Sequence, residues 1–230
     1  MAEALELLSY GDRGWLDEIV SGILVTIALA SCTAPLALAL GFAASLAKQS
    51  RHVELRLASR LYTTIFRALP ELVTLFLIFF GLPLLLRGLG LGVGVPTFVA
   101  GWLALGLTIG AYVAEVLSSA FRAIPKGQYE GADALGLRPS RTMLLVISPQ
   151  LFRIALPGLS NLWVILLKDT ALVSTIGLNE TLRQVGVASR VTKEPFLFFG
   201  VACLIYLVLT LSSVALLNRA DARMARGDVR

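Results

Sequence analysis

The sequence IPKGQYEGADALGLRPSRTMLLVISP, residues 124–149, decides the fold because it is a polar run set between long apolar segments. Pro125 suits a first helical turn, where its missing N–H costs nothing. Gly136 offers the left-handed backbone that ends a helix, and Pro139 permits a second helix to begin. The stretch therefore predicts two short helices joined at a glycine, and an ordinary loop between membrane spans is the alternative interpretation.

The composition around this stretch is that of an integral membrane protein. Of the 230 residues, 57% are apolar and 15% are charged, against about 45–50% and about 25% in soluble domains. The mean hydropathy of +0.80 agrees with this class. The net charge of +5 does not indicate a nucleic-acid partner, because the cations follow the apolar segments. Cys32, Cys203 and the single histidine, His52, predict neither a disulfide framework nor a metal site.

The apolar segments predict an all-α, polytopic fold with five transmembrane helices. Each segment is long enough to cross about 30 Å of hydrocarbon. The predicted spans are residues 19–47, 68–86, 96–121, 154–178 and 195–217. Pro149 and Pro157 interrupt the approach to the fourth. The predicted divisions are an external segment at 1–18, a membrane domain at 19–217 with its loop at 123–149, and a tail at 218–230.

Lysine and arginine are distributed unequally over the two sides of the predicted membrane. The loops after the first and third spans, together with the C-terminus, carry fourteen, and the other side carries five. Positive charge accumulates on the cytoplasmic side of membrane proteins. The count therefore predicts a cytoplasmic C-terminus, an external N-terminus and a cytoplasmic position for the 123–149 loop.

The sequence predicts no bond chemistry for this chain. It has no glycine-rich loop ending in Gly-Lys-Ser or Gly-Lys-Thr, so any ATP that drives the protein is expected to be hydrolysed by a separate chain. One histidine in a polar loop cannot complete a Ser/His/Asp or Cys/His constellation. We therefore expect no catalytic residues, no metal and no cofactor.

Lys168 and Asp169 are the most informative charged residues because they fall inside the fourth span, where charge is costly and is usually kept for a function. Asn161 shares the helical face of Lys168, while Asp169 turns about 100° away. An α-amino acid carries the complementary charges, so we expect its ammonium at Asp169 and its carboxylate at Lys168. The alternatives are a structural ion pair of Lys168 with Asp169 or another acid, and a Lys168 that reaches the membrane interface.

Glu115 is a second candidate for solute contact, near the end of the third span. On this hypothesis it faces the same cavity as Asp169 and meets a cationic side chain of the solute. The alternative is a hydrogen-bonded structural acid near the membrane interface. Arg67 and Glu71, four residues apart at the start of the second span, predict a structural ion pair.

The 124–149 stretch resembles the cytoplasmic EAA loop of ABC importer permeases. The resemblance is carried by Glu130-x-Ala132-x-x-x-Gly136, with Lys126-Gly127-Gln128 before it and Val146-x-x-Pro149 after it. In that family the loop is a coupling helix that docks on an ATPase subunit. The resemblance thus assigns ATPase coupling to Lys126, Gly127, Gln128, Glu130, Ala132 and Gly136. Gly131 replaces the usual first alanine, which softens the helix by about 1 kcal/mol.

Further motifs are similar to those of polar amino-acid ABC permeases. They are TIFRALPEL at 64–72 with IFFG at 78–81, GAYVAE at 110–115, AIPKGQ at 123–128 and LKDTALVS at 167–174. The similarity runs over residues 22–217 and is greatest to Q-type subunits of histidine/lysine/arginine and opine (octopine, nopaline) importers. Ser118 and Ser119 stand where Arg-Gly is common in the family, which removes a charge partner for Glu115.

This resemblance implies a function and a set of partners. The chain would be a permease subunit, with a type I importer fold, of an ATP-driven importer of polar or basic amino acids or opines in the bacterial inner membrane. It would work by alternating access, with a periplasmic N-terminus. The implied partners are two cytoplasmic ATPase subunits, a second permease of the M type, a periplasmic solute-binding protein and membrane lipid. A homodimer is the alternative to the heterodimer.

Two functions from other classes compete with this interpretation. An ion-coupled secondary carrier would also hold buried charges, but such carriers normally show internal inverted repeats, which the five spans do not reveal. A channel or a non-transporting membrane scaffold fits the composition, yet it gives no reason for a glycine-broken helix pair in the polar loop.

Overall fold

A computed structural model of the chain describes residues 6–11, 14–92 and 94–226, and these fold into helices without β-strands. The first part of the predicted external segment and the end of the predicted tail, including Arg230, lie outside the described residues. The helices are α1 (Leu16–Gln49), α2 (Val53–Ala68), α3 (Glu71–Gly88), α4 (Thr97–Ala123), α5 (Lys126–Ala134), α6 (Pro139–Ile176), α7 (Thr181–Thr192) and α8 (Pro195–Arg226).

Five helices are long and apolar enough to cross a membrane: α1, α3, α4, α6 and the Pro195–Leu217 part of α8. The prediction of an all-α fold with five transmembrane helices is therefore confirmed. The helix ends differ from the predicted ones, most of all in α6, which is 38 residues long and begins at Pro139. α4 is the most buried of the five and forms the centre of the bundle.

Close helix packing fixes the relative direction of α1 and α4. A Cβ added to Gly106 of α4 would lie 2.4 Å from Leu36, and one added to Gly41 of α1 would lie 2.4 Å from Val113. Because both contact positions advance together along the chain, α1 and α4 run parallel. Their last turns therefore lie at the end of the bundle that carries α5. We call this end the loop end and the opposite one the far end.

Two π-helical turns lie directly before prolines. Leu77–Gly81 precedes Pro83 in α3, and Thr142–Ile147 precedes Pro149 in α6. In an α-helix a proline ring clashes with the carbonyl four residues earlier, and in both helices that residue lies within the wider π turn. Pro149 therefore does not interrupt the helix, and Pro157 lies inside it. The expected interruption before the fourth span is wrong, and α6 passes unbroken from the loop into the bundle.

A break separates α2 from α3. Leu69 adopts an extended conformation, with φ −80° and ψ 138°, because the proline at position 70 disfavours helical geometry in the residue before it. Arg67 and Glu71 consequently do not share one helix. The predicted ion pair between them is wrong, since Arg67 instead lies 3.2 Å from Oε1 of Glu115.

Helix α7 closes the far end of the bundle. Its N-cap is Glu180, a fully buried carboxylate that accepts hydrogen bonds from two backbone N–H groups of the first turn, both at 2.8 Å. Tyr206 of α8 donates to the same carboxylate at 3.0 Å. The hydroxyls of Thr26 in α1 and Thr181 in α7 lie 2.8 Å apart. These bonds fix α7 to two membrane-spanning helices, and burial raises the pKa of Glu180.

Candidate functional site

Helix α5 is a short, separate element at the loop end. Gly136 ends it with a φ of +70°, the left-handed conformation expected from the sequence. The N–H groups of Gly136 and Leu137 donate to the carbonyls of Asp133 (2.8 Å) and Ala132 (3.1 Å), a pair of bonds by which helices commonly end at glycine. The expected glycine-joined helix pair is present, although its second member is the start of the long helix α6.

Most of the residues assigned to coupling point away from the bundle. Those exposed to solvent are Lys126, Gly127, Gln128, Glu130 and Gly136. Leu135, which directly follows α5, is 81% exposed. Ala132 is different, because only 3% of it is exposed and its helix packs on the π turn of α6. Ala132 therefore holds α5 in place and is not available for direct contact with a docked protein.

A groove of about 410 Å³ runs between α5 and the start of α6, with Tyr129, Asp133 and Leu137 in its lining. Gln150 donates from Nε2 to Oε1 of Gln128 at 2.9 Å, which links α6 to α5. Burial raises the pKa of Tyr129. The loop end thus presents a polar helix that is exposed on one side and fixed to a membrane-spanning helix on the other. Such an arrangement can pass the movement of a docked protein into α6.

Glu115 lies near the loop end of α4, between two cations that come from other helices. Lys48 of α1 donates from Nζ to its Oε1, and a guanidinium nitrogen of Arg67 in α2 lies 3.2 Å from the same oxygen. Cζ of Arg67 also lies 5.6 Å from the ring centroid of Tyr112, within cation–π range. The network joins α1, α2 and α4, which matches the structural alternative for Glu115.

In the described part of the chain, Glu115 lines other cavities than the one lined by Lys168. The cavity beside it is lined on the α6 side by Ile154, Ala155 and Gly158. Lys168 follows ten residues after Gly158 on α6, which places it about 15 Å further along the helix. The pairing of Glu115 with Lys48 and Arg67 at a different depth favours the structural alternative, and its contact with a solute next to Asp169 stays a prediction.

Asp169 is half-buried at the end of the α-helical part of α6, and Glu71 at the start of α3 is its acidic neighbour. Lys168 acts on Asp169 electrostatically from the adjacent position. The Lys168 side chain, however, lines a cavity of about 290 Å³ together with Leu182 and Tyr206. The start of α3 packs on α6 directly after Asp169, so that Glu71 and Asp169 interact electrostatically, whereas Lys168 lies beside α7 and α8.

Asn161 and Lys168 are both exposed on the outer surface of α6. They are seven residues apart and share one helical face, as expected from the sequence. Polar and ionisable side chains within a span face a water-filled cavity or other protein, because lipid cannot solvate them. The two residues therefore place polar groups on one exposed face of α6, and Lys168 lies beside α7 and α8.

The sequence did not predict the surroundings of two charged residues, Glu71 beside Asp169 and Lys48 beside Glu115. Glu71 was expected to pair with Arg67 at the start of the second span, and the signal against this was the Leu-Pro break that ends α2 before it. Lys48 was expected in a loop, but α1 continues through Gln49. Within the described parts of the chain, no three His, Cys, Asp or Glu side chains come together in a way that could hold a metal ion.

Comparisons with known proteins agree with this geometry. Residues 36–226 match the family described as binding-protein-dependent transport system inner membrane component. The chain is 40% identical over 213 residues to the nopaline transport system permease protein NocQ of Agrobacterium fabrum, a match that covers 90% of each chain. It is 38% identical over 219 residues to the histidine/lysine/arginine/ornithine transport system permease protein HisQ of Salmonella typhimurium, covering 93% and 96% of the two chains.

A solved structure is similar over nearly the same length. The crystal structure of an amino acid ABC transporter with histidines superimposes with a TM-score of 0.80 at 32% identity, covering 91% of this chain and 95% of the other. The resemblance to Q-type permeases of polar amino-acid and opine importers is confirmed by these relatives. The chain therefore belongs to the family of binding-protein-dependent transport system inner membrane components.

Proposed function

We propose that this chain is the permease subunit of an ATP-driven importer whose solute carries a positive charge. The observation that carries the proposal is that the first turns of α3, which begin with Glu71, pack on the end of α6 directly after Asp169, so that the two acids interact electrostatically. Two acids with one adjacent cation, Lys168, leave an excess of negative charge inside the spans. A guanidinium or ammonium group of the solute would offset the cost of burying it.

The named relatives support this class of solute. One of them is a histidine/lysine/arginine/ornithine transport protein and another a nopaline transport protein. We assign the positively charged side chain or the α-ammonium of the solute to Asp169 and Glu71. Lys168 and Asn161 lie on the exposed face of α6 and would line the same path once a second permease subunit covers that face. That subunit is a distinct M-type chain or a second copy of this one.

The remaining partners follow from the two ends of the bundle. At the loop end, α5 offers an exposed polar helix to an ATPase subunit, one for each permease. At the far end, a solute-binding protein would deliver the solute. ATP hydrolysis belongs to the ATPase subunits, and this chain contributes the path and the movement of its helices by alternating access.

The solute class is tested by competition for uptake in the assembled importer. Proteoliposomes containing both permeases, the ATPase subunits and the binding protein would be loaded with ATP and supplied with labelled arginine. Excess unlabelled lysine, ornithine or histidine should reduce uptake, and excess glutamate should not. Equal competition by glutamate, whose α-ammonium is its only positive charge, would show that the paired carboxylates do not select a cationic side chain.

Coupling through α5 is tested by reversing one exposed charge. Glu130→Lys should separate ATP hydrolysis from uptake, lowering uptake at least tenfold while leaving insertion and assembly intact, because the change lies on the face offered to the ATPase. Glu54→Lys reverses another exposed acid, in the first turn of α2, and serves as the matched control. Wild-type uptake by Glu130→Lys at equal expression would refute the assignment.

The membrane orientation is tested by reporters at the two sides. We place the loop end and the C-terminus in the cytoplasm, and the N-terminus in the periplasm, of a bacterial inner-membrane protein. A reporter fused after Arg230, which lies outside the described residues, should be cytoplasmic. A reporter inserted between Gly88 and Gly94 should be external. The opposite result at either position would contradict the orientation.

A further inference from the structure

A cavity of about 420 Å³ opens at the loop end between α1, α2 and α4. Lys48, Arg60 and Arg122 contribute three positive charges to its lining, and Glu115 contributes one negative charge. Ser118 adds a hydroxyl to the lining. None of the functions derived above uses Arg60 or Arg122. The cavity lies about 15 Å along the bundle from the level of Asp169, so it is separate from the proposed solute subsite.

The positive charge of this cavity is only partly compensated by the protein. Glu115 is already paired with Lys48 and Arg67. Arg122 donates to the hydroxyl of Ser119 at 2.9 Å, and among the described residues neither Arg122 nor Arg60 has an acid within ion-pair distance. The last turns of α1 and α4 add partial negative charge here, which Lys48 and Arg122 offset from within those turns. Arg60 remains without a counter-charge.

An apolar ridge on α2 lies beside the cavity. Val53, Leu57, Leu61 and Ile65 recur at every fourth residue, and between 48% and 62% of each is exposed. At 100° per residue this row lies on the helix side that is opposite the buried Ser59 and Thr63 and next to Arg60. Exposed leucines in a row next to unpaired arginines are the pattern of a surface that binds lipid at a membrane interface.

We propose that the cavity and the ridge together bind one anionic phospholipid from the leaflet at the loop end. The guanidinium groups of Arg60 and Arg122 bind the phosphate, since arginine presents paired donors that match phosphate oxygens. The remaining N–H groups of Lys48 assist them. The acyl chains lie along Val53, Leu57, Leu61 and Ile65. The site presents positive charge beside an apolar row, and one anionic phospholipid carries both the matching phosphate and the matching acyl chains. A protein partner would need an acidic residue and an apolar face at the same spacing.

The bound lipid would stabilise the junction of three helices that lead to α5. α1 and α4 end at this cavity, and α5 follows α4 after Ile124 and Pro125. Anionic lipid is enriched in the cytoplasmic leaflet, which is the side that we assign to the loop end. The proposal concerns headgroup charge and does not depend on which solute is carried.

The test compares the purified importer in nanodiscs of phosphatidylcholine alone and of phosphatidylcholine with phosphatidylglycerol. Wild type should melt about 2–4 °C higher with phosphatidylglycerol, and native mass spectrometry should detect retained phosphatidylglycerol. Arg60→Gln with Arg122→Gln should lose most of both effects. Arg87→Gln with Arg190→Gln removes two exposed arginines elsewhere and should keep both effects.

Three results would overturn the proposal. The first is a full phosphatidylglycerol response in the Arg60→Gln and Arg122→Gln double variant. The second is an equal stabilisation by inorganic phosphate in phosphatidylcholine nanodiscs, which would identify a soluble anion as the ligand. The third is efficient disulfide cross-linking of Leu57→Cys to a cysteine of the second permease, which would identify the ridge as a protein interface.

Discussion

Glu115 and Asp169 are both carboxylates within membrane-spanning helices, yet they have opposite surroundings. Glu115 lies between Lys48 and Arg67, which come from two other helices. Asp169 has an acidic neighbour, Glu71, and a single cation, Lys168, whose side chain turns toward another cavity. A charge inside a span is therefore not in itself a binding site. Whether its neighbours neutralise it decides between a structural and a transport role.

The difference has an energetic basis. A partly buried carboxylate with two cations recovers its desolvation cost within the protein, and removing it leaves both cations without a partner. A carboxylate next to another acid recovers little of that cost until a cation arrives. Under the proposed function, the first arrangement contributes to the stability of the fold, and the second would be stabilised only by a bound cationic solute. Substitutions at the two positions should consequently affect different measurements.

The largest effect is expected for Glu115→Ala, on stability. The change strands Lys48 and Arg67 and should lower the free energy of unfolding by about 2 kcal/mol, a value between those for buried and exposed pairs because about a third of the Glu115 side chain is exposed. Thermal unfolding of the assembled complex measures it. The half-saturation concentration for uptake should stay unchanged. A raised half-saturation at unchanged melting temperature would return Glu115 to the solute path.

A smaller effect is expected for Asp169→Asn, and on uptake instead. Loss of one carboxylate next to the solute should raise the half-saturation concentration about tenfold, which corresponds to about 1.4 kcal/mol. The melting temperature and the basal ATPase activity should be preserved. Glu71→Gln, at the neighbouring acid, should also raise the half-saturation concentration for uptake. Unchanged uptake kinetics together with a lowered melting temperature would mean that Asp169 serves the fold.

Much of the fold was accessible from the sequence because it depends on local patterns. Five apolar segments predicted five spans, and Gly136 predicted the end of α5 through its backbone freedom. The continuity of α6 through Pro149 was not predicted, because no residue pattern indicates the π turn that accommodates this proline. The start of the second span was placed at residue 68 and not at Glu71, since Pro70 was taken as part of the span.

The site was predictable only where one helix supplied its residues. Asn161 and Lys168 were expected on one face of one helix, and they lie there. The environment of Glu115 depends on Lys48 in α1 and Arg67 in α2, and only the packing of three helices brings these together. Pairing of charges across helices is a tertiary property, and neither spacing nor composition reports it.

The smallest effect is expected for Lys168→Gln, and its sign separates two accounts of the solute site. If the solute carboxylate binds Lys168, loss of the cation should raise the half-saturation concentration by about as much as Asp169→Asn does.

In the structure, Lys168 lines the cavity with Leu182 and Tyr206 and acts on Asp169 only electrostatically. If that arrangement persists during transport, removing the positive charge of Lys168 makes the subsite of Asp169 and Glu71 more negative. The half-saturation concentration for a cationic solute should then fall, by no more than about twofold because Lys168 is exposed and screened. Uptake titrations of Lys168→Gln and Asp169→Asn in the same proteoliposome preparation measure both values. A tenfold rise in the Lys168→Gln protein would show that Lys168, which lines the proposed path, also binds the solute carboxylate directly.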